Sequence, residues 1–110
     1  MIFEQLMFDS SQQVRFNIFR LLTTLTPAHY SIDDIGQKMN LTYQQVYHHL
    51  RELNREIIEI EPEHPAILIK NHGVDSRLLS LSIDVYRYHL LKESLPFFFY
   101  NMLLMLTIAL

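Results

Sequence analysis

Between Ser31 and Ile57 the chain carries two apolar stripes of helical period, separated by only six residues. Ile32, Ile35 and Met39 form the first, and Val46, Leu50, Leu53 and Ile57 form the second. Spacing of three or four residues places each set on one face of a helix. Ser31 with Asp34 three positions on is a capping-box pair, and Asp33 and Asp34 suit the positive end of a helix dipole. Asn40 can take the left-handed conformation that ends a helix, and Thr42 then caps the next one. The segment therefore predicts a short helix ending near Asn40, a tight turn, and a longer helix from Tyr43 to Arg55 or Glu56. Gly36 permits the two helices to approach closely.

Flanking segments extend this pattern. Ile2, Phe3, Leu6 and Met7 are spaced for a short helix. Ser10 and Gln13 make a capping-box pair for a helix carrying Val14, Ile18, Leu21, Leu22 and Leu25 on one face, with Arg15 and Arg20 off it and Pro27 beyond its end. Ile58–Ile60 and Ala66–Ile69 are extended candidates that would pair as a short hairpin, and Asn71-His72-Gly73 is a turn signal. Ser82 caps a further helix through about Glu93. Ser94 and Pro96 mark the start of a last one. The expected fold is mostly α: a winged helix-turn-helix with a short β-hairpin wing, followed by two C-terminal helices. Residues 1–93 form the winged unit, and 94–110 a dimerisation helix or the start of a second, truncated helical domain.

Composition narrows the function classes. The absence of cysteine excludes a disulfide scaffold, a zinc ribbon and thiol catalysis. The six histidines show no H-x-x-x-H spacing, so neither a metal nor a cofactor is expected. No Ser/His/Asp set or glycine-rich phosphate loop is arranged for catalysis, and an enzyme is not expected. The N-terminus lacks the basic start of a signal peptide, which together with the missing cysteines is the basis for expecting a cytoplasmic protein. Leu95–Leu110 is apolar at 13 of 16 positions but shorter than the roughly 20 residues of a membrane span, so no membrane partner is expected. It reads as a buried or dimer-forming helix.

A helix-turn-helix presents long polar side chains of its second helix to the major groove. Here the outward face carries Gln44, His48, Arg51 and Arg55, flanked by Tyr43 and Tyr47. Thr42 is a helix cap and a candidate phosphate contact. Gln44 and Gln45, near the helix start, are candidate base readers, since glutamine suits adenine. The bland alternative for both is a solvated polar face. Arg51 and Arg55 are candidate phosphate partners, with ion pairs to Glu52, Glu56 or Glu59 as the alternative. Lys70 and Asn71, with His72 and Arg77 nearby, are the wing candidates. The formal charge of −3 supplies no general attraction to nucleic acid, so contact with DNA would rest on a local patch. A winged helix that binds only protein is the competing reading.

The stretch SIDDIGQKMNLTYQQVYHHLRELNREI resembles the first helix-turn-helix of Mga-type regulators, which include the AtxA-like virulence regulators of Gram-positive bacteria. Ile35, Met39, Leu41, Thr42, Val46, Leu50, Leu53 and Asn54 carry the likeness. The later run from Leu81 to Leu104, with Tyr86, Ser94 and Phe97, is similar to the stretch leading into such proteins' second helix-turn-helix. The resemblance implies transcription regulation through double-stranded DNA, with no small-molecule substrate in this region. It also implies a longer protein, with phosphotransferase-regulated domains following. A homodimer through Leu95–Leu110 is the expectation drawn from the apolar tail.

Overall fold

The computed structural model describes residues 8–70 and 72–109, without the side chains of Pro96, Phe97, Phe98, Tyr100 and Ala109. The short helix expected at Ile2–Met7 lies outside the described residues. The chain is mostly helical, with a small antiparallel sheet. Its elements are α1 (Ser10–Thr24), β1 (His29–Tyr30), α2 (Ile32–Met39), α3 (Tyr43–Ile60), β2 (Leu68–Ile69), β3 (Gly73–Asp75), a 3-10 turn (Ser76–Leu78) and α4 (Ile83–Ala109).

Capping fixes the helix starts. Ser31 and Asp34 form the expected capping box on α2, and Asn40 takes φ 56° at its end. Thr42 and Gln45 form another on α3. The α1 cap differs from expectation. Asp9, not Ser10, accepts from the Gln12 amide at 2.7 Å, and Gln12 Oε1 accepts from the Asp9 amide at 3.1 Å. Overlapping patterns one residue apart both fit the sequence, and the carboxylate is the better acceptor at a positive helix end.

Two further corrections concern element ends. Ile58–Ile60 is the last turn of α3 rather than a strand. The stripe of Val46, Leu50, Leu53 and Ile57 runs on without a breaker until Pro62, and Arg55 bridges Glu52 and Glu59 along the helix, at 3.2 and 3.0 Å. The hairpin instead joins β2 to β3, with Leu68 opposite Val74 and Ile69 opposite Gly73. Of the expected turn at 71–73, Gly73 already belongs to β3, the His72 amide donates to the Ile69 carbonyl at 3.0 Å, and Asn71 lies outside the described residues. The short strand β1 pairs with the other edge of β3, giving the order β1-β3-β2. Gly73 has φ +87°, and a Cβ there would lie 2.4 Å from the Tyr30 carbonyl, so glycine is required where β3 passes β1.

The second correction is at the C-terminal end. One helix, α4, replaces the two expected there, running through Ser94 and Pro96. Ser94 caps nothing. Its hydroxyl is buried, 2.7 Å from the Leu90 carbonyl and 2.9 Å from Gln12 Oε1, so it ties α4 to the start of α1. The helix absorbs Pro96 at the cost of one backbone hydrogen bond.

The core lies where α1, α3 and α4 meet. Phe16, Ile18, Phe19, Leu50, Leu53, Ile57, Tyr86 and Leu90 are fully buried. Phe16 and Phe19 were absent from the α1 stripe read in the sequence. They are buried because α1 is covered by both α3 and α4, which requires a broader apolar face than one partner would. Phe19 stacks on Tyr86, with ring centroids 4.7 Å apart.

Within this core sits a charged lock. Arg15, expected off the buried stripe, is buried and forks onto Glu56, with Nε to Oε1 at 2.7 Å and Nη2 to Oε2 at 3.2 Å. The Tyr86 hydroxyl donates to Glu56 Oε1 at 2.8 Å. Burial works against the Arg15 charge. Its bonds to Glu56 and the attraction of that carboxylate outweigh burial and hold its pKa above the ordinary value. Burial, then the Glu56 charge, pushes the Tyr86 hydroxyl up, so it remains a donor. His49 lies nearby with a buried Nδ1 that has no hydrogen-bond partner among the described residues. Burial, followed by the positive charges of His48 and Arg15, lowers its pKa.

Truncating one member of a buried ion pair leaves the other charge uncompensated. Glu56→Ala should therefore destabilise the fold by about 3–5 kcal/mol in urea unfolding. Tyr86→Phe, which removes one donor to a charge, should cost about 1.5–3 kcal/mol. A Glu56→Ala protein as stable as the parent would contradict the lock. A second prediction concerns pH. With its folded pKa below the ordinary value of about 6.5, His49 binds a proton more readily unfolded than folded. Its penalty is absent above that value and grows as pH falls through it toward the lower folded value. Unfolding between pH 7.5 and 5.5 should show a smaller acid loss of stability in His49→Gln. An unchanged pH slope would contradict this assignment.

Candidate nucleic-acid interface

The start of α3 is held close to α2. Gly36 is buried, and a Cβ there would meet the Leu41 carbonyl at 2.8 Å and Val46 Cγ2 at 3.6 Å. The Leu41 amide donates to the Gly36 carbonyl at 2.9 Å. This tight turn sets one face of the first two turns of α3 on the core and leaves the other exposed. Val46, Leu50 and Leu53 are fully buried, while Tyr43, Gln44, Gln45, Tyr47, His48 and Arg51 are exposed.

Local bonds divide the predicted residues. The Thr42 hydroxyl accepts from the Gln45 amide at 3.2 Å, and Gln45 Oε1 accepts from the Thr42 amide at 2.9 Å. These bonds hold the cap and still leave the Thr42 O–H and the Gln45 side-chain NH2 as donors for a further partner. Gln44, one residue earlier, is exposed and outside this box. Tyr43 and Tyr47 stack one turn apart, with centroids 6.3 Å apart, and the Arg51 guanidinium lies 5.9 Å from the Tyr47 ring. Tyr43, Tyr47 and Arg51 thus form a ladder along one edge of α3. Arg51 makes no ion pair with a carboxylate among the described residues. Arg55 lies beyond the ladder and is engaged by Glu52 and Glu59, as the ion-pair alternative has it. His48 is exposed and packs edge-on against His49, with centroids 5.3 Å apart.

The hairpin approaches the same edge. Asp33, Tyr43, Tyr47, Lys70 and His72 line one open cleft, so a carboxylate shares it with the lysine. The structure thus brings Lys70 to the start of α3, a proximity that their separation along the chain concealed in the sequence. Arg77, the other cation of this region, is paired with Asp75 at 2.8 Å.

A further cluster had no sequence signature. Glu56, His89 and Glu93 place ligand-type atoms within 4.8 Å of one another, on α3 and α4. His89 Nε2 lies 3.0 Å from Glu93 Oε1. Glu56, however, is already bonded to Arg15 and Tyr86 and is charge-compensated, which suits a structural role better than cation binding. Only the His89–Glu93 spacing of one helical turn was visible in the chain.

Among the described residues, no helix is long and apolar enough to cross a membrane. No protein-family model matches the chain, and no curated protein or solved structure matches it either.

Proposed function

We propose that the chain is a DNA-binding transcription regulator that reads duplex DNA through the major groove with the N-terminal half of α3. The observation that carries this reading is the division of α3. Val46, Leu50 and Leu53 are fully buried, while Tyr43, Gln44, Tyr47, His48 and Arg51 are exposed on a face that the fold does not consume. A helix about 10–12 Å across fits a groove about 12 Å wide. The order of elements, helix–strand–helix–helix–strand–strand, supports a winged helix with α2 and α3 as the helix-turn-helix and the β2–β3 turn as the wing. Lys70 beside Tyr43 and Tyr47 supports a wing that works from the same side as α3. The resemblance to Mga-type regulators points the same way, and a DNA target would place the protein in the bacterial cytoplasm.

Roles follow from what each side chain has left to offer. Gln44 has a free amide for an adenine edge, and Tyr43 and Tyr47 offer a ring face to a thymine methyl or a hydroxyl to a phosphate. Arg51 and Lys70 are phosphate partners, while Thr42 and Gln45 hold the helix end that presents these groups. Arg55 is tied to Glu52 and Glu59 and contributes less. One observation favours the competing reading of a protein-binding winged helix. The net charge is −3, and the face carries few unpaired cations.

Salt dependence separates the two. Fluorescence anisotropy with labelled duplex DNA should show affinity falling with salt at a log–log slope of about −2 per chain, since Arg51 and Lys70 each neutralise one phosphate and each contributes about −0.9. Arg51→Ala should weaken binding to all sequences and flatten that slope by about 1. Gln44→Ala should instead relax preference at one base pair, by about 1–3 kcal/mol. Absence of salt-dependent binding to any duplex, with the protein folded, would favour the protein-binding module.

A further inference from the structure

The charge of the cleft between the hairpin and α3 depends on two histidines. His29 from β1, Asp33 from α2, and Lys70 and His72 from the β2–β3 hairpin line it, together with Tyr43 and Tyr47 from α3. All six residues are exposed. With both imidazoles neutral, Lys70 stands against Asp33 and the cleft has no net charge. With both protonated it carries two net positive charges. Histidine is the side chain that ordinarily changes charge between pH 5 and 8.

The neighbouring charged groups do not make the cleft positive by themselves. Asp34, beside Asp33, adds a second carboxylate at the α2 cap, where it accepts from the Ser31 amide at 3.3 Å. Asp75 stands opposite His29 in the β1–β3 register and is held by Arg77, at 2.9 and 2.8 Å. Arg51 lies one turn beyond Tyr47 on α3, and His48 is on α3 outside the cleft, packed against His49. The two imidazoles are thus the groups that decide whether this side of α3 attracts an anion or is indifferent to it.

We propose that His29 and His72, once protonated, complete with Lys70 a second phosphate contact for the DNA strand beside α3, so that affinity rises as pH falls. The contact presupposes the duplex-binding reading of α3 and adds a wing-side site to it. A neutral imidazole can still donate one hydrogen bond, but it neutralises no phosphate and releases no counterion. A bond from the charged ring is roughly twice as strong as a neutral one. A phosphate beside an imidazole favours its charged form, so binding takes up protons and tightens on acidification.

Fluorescence anisotropy of the full chain with labelled duplex DNA, at pH 8.0 and 6.0 over a range of salt, tests this. The parent should bind roughly 10-fold or more tightly at pH 6.0. Its salt slope should steepen by about 0.9 for each imidazole that joins. His29→Gln/His72→Gln should lose most of this pH response and keep one slope at both pH values, with its far-UV circular dichroism unchanged because both residues are exposed. His48→Gln should keep most of the response. In the parent at pH 7.0, added duplex should move the ring-proton resonances of His29 and His72 toward those of the charged form. Duplex binding of equal strength at both pH values would overturn the proposal and leave the α3 reading standing. So would a full pH response in the double variant, its loss in His48→Gln, or ring resonances unmoved by bound duplex. No binding to any duplex at either pH would overturn the α3 reading, and this contact with it.

Discussion

The buried contact among Arg15, Glu56 and Tyr86 sets the arrangement of the three long helices. Each residue comes from a different helix, α1, α3 and α4, and a fully buried carboxylate is tolerable only when its donors are in place. An apolar core alone would accept small rotations of α3 about its axis at modest cost. Glu56 does not, because any rotation separates it from the guanidinium fork. That fixes which side of α3 faces inward. The exposure of Tyr43, Gln44, Tyr47 and Arg51 is the other side of the same constraint. Replacement of the whole trio by apolar residues of equal volume need not lower stability. What the trio contributes is a single azimuth for the helix that carries the candidate interface.

Helical period made α2, the first turns of α3 and the outward face legible in the sequence. The buried stripe Val46, Leu50, Leu53, Ile57 and the caps at Ser31, Asn40 and Thr42 are local signals, readable within a turn or two. What escaped was either non-local or ambiguous. Arg15 and Glu56 are 41 residues apart, and nothing near either one announces the pair. The strand reading of Ile58–Ile60 rested on three alternating residues, which a helix accommodates equally well. The two-residue strand β1 has no pattern of its own and exists through β3, with Ser76 N–H donating to the Ala28 carbonyl at 3.0 Å to close that edge. Ser94 and Pro96 look like a helix start, but tertiary contact with Gln12 makes Ser94 an interior residue. At the candidate site, the residue types and their face were visible. The engagement of Arg55 by Glu52 and Glu59, and the approach of Lys70 to Tyr43, depend on the folded hairpin and on rotamers.

Charge decides the character of this interface more than shape does. A net charge of −3 cannot draw the protein to a polyanion at long range, so the affinity proposed for α3 must come from short-range contacts. Stacked Tyr43 and Tyr47 suit that role, since they supply area and a hydroxyl at little entropic cost. Arg51 lies 5.9 Å from the Tyr47 ring, which puts its charge on the same edge of α3.

The central claim, that the early turns of α3 and the wing meet duplex DNA, is tested most directly by a two-dimensional NMR titration of the labelled chain with a duplex at low salt. The account predicts progressive shifts at the amides of 42–51 and 70–73 and at the Tyr43 and Tyr47 side chains. Amides of the inner face of α1 and of α4 around Tyr86 should stay in place. Shifts absent from 42–51, or confined to the last three turns of α4, would contradict it.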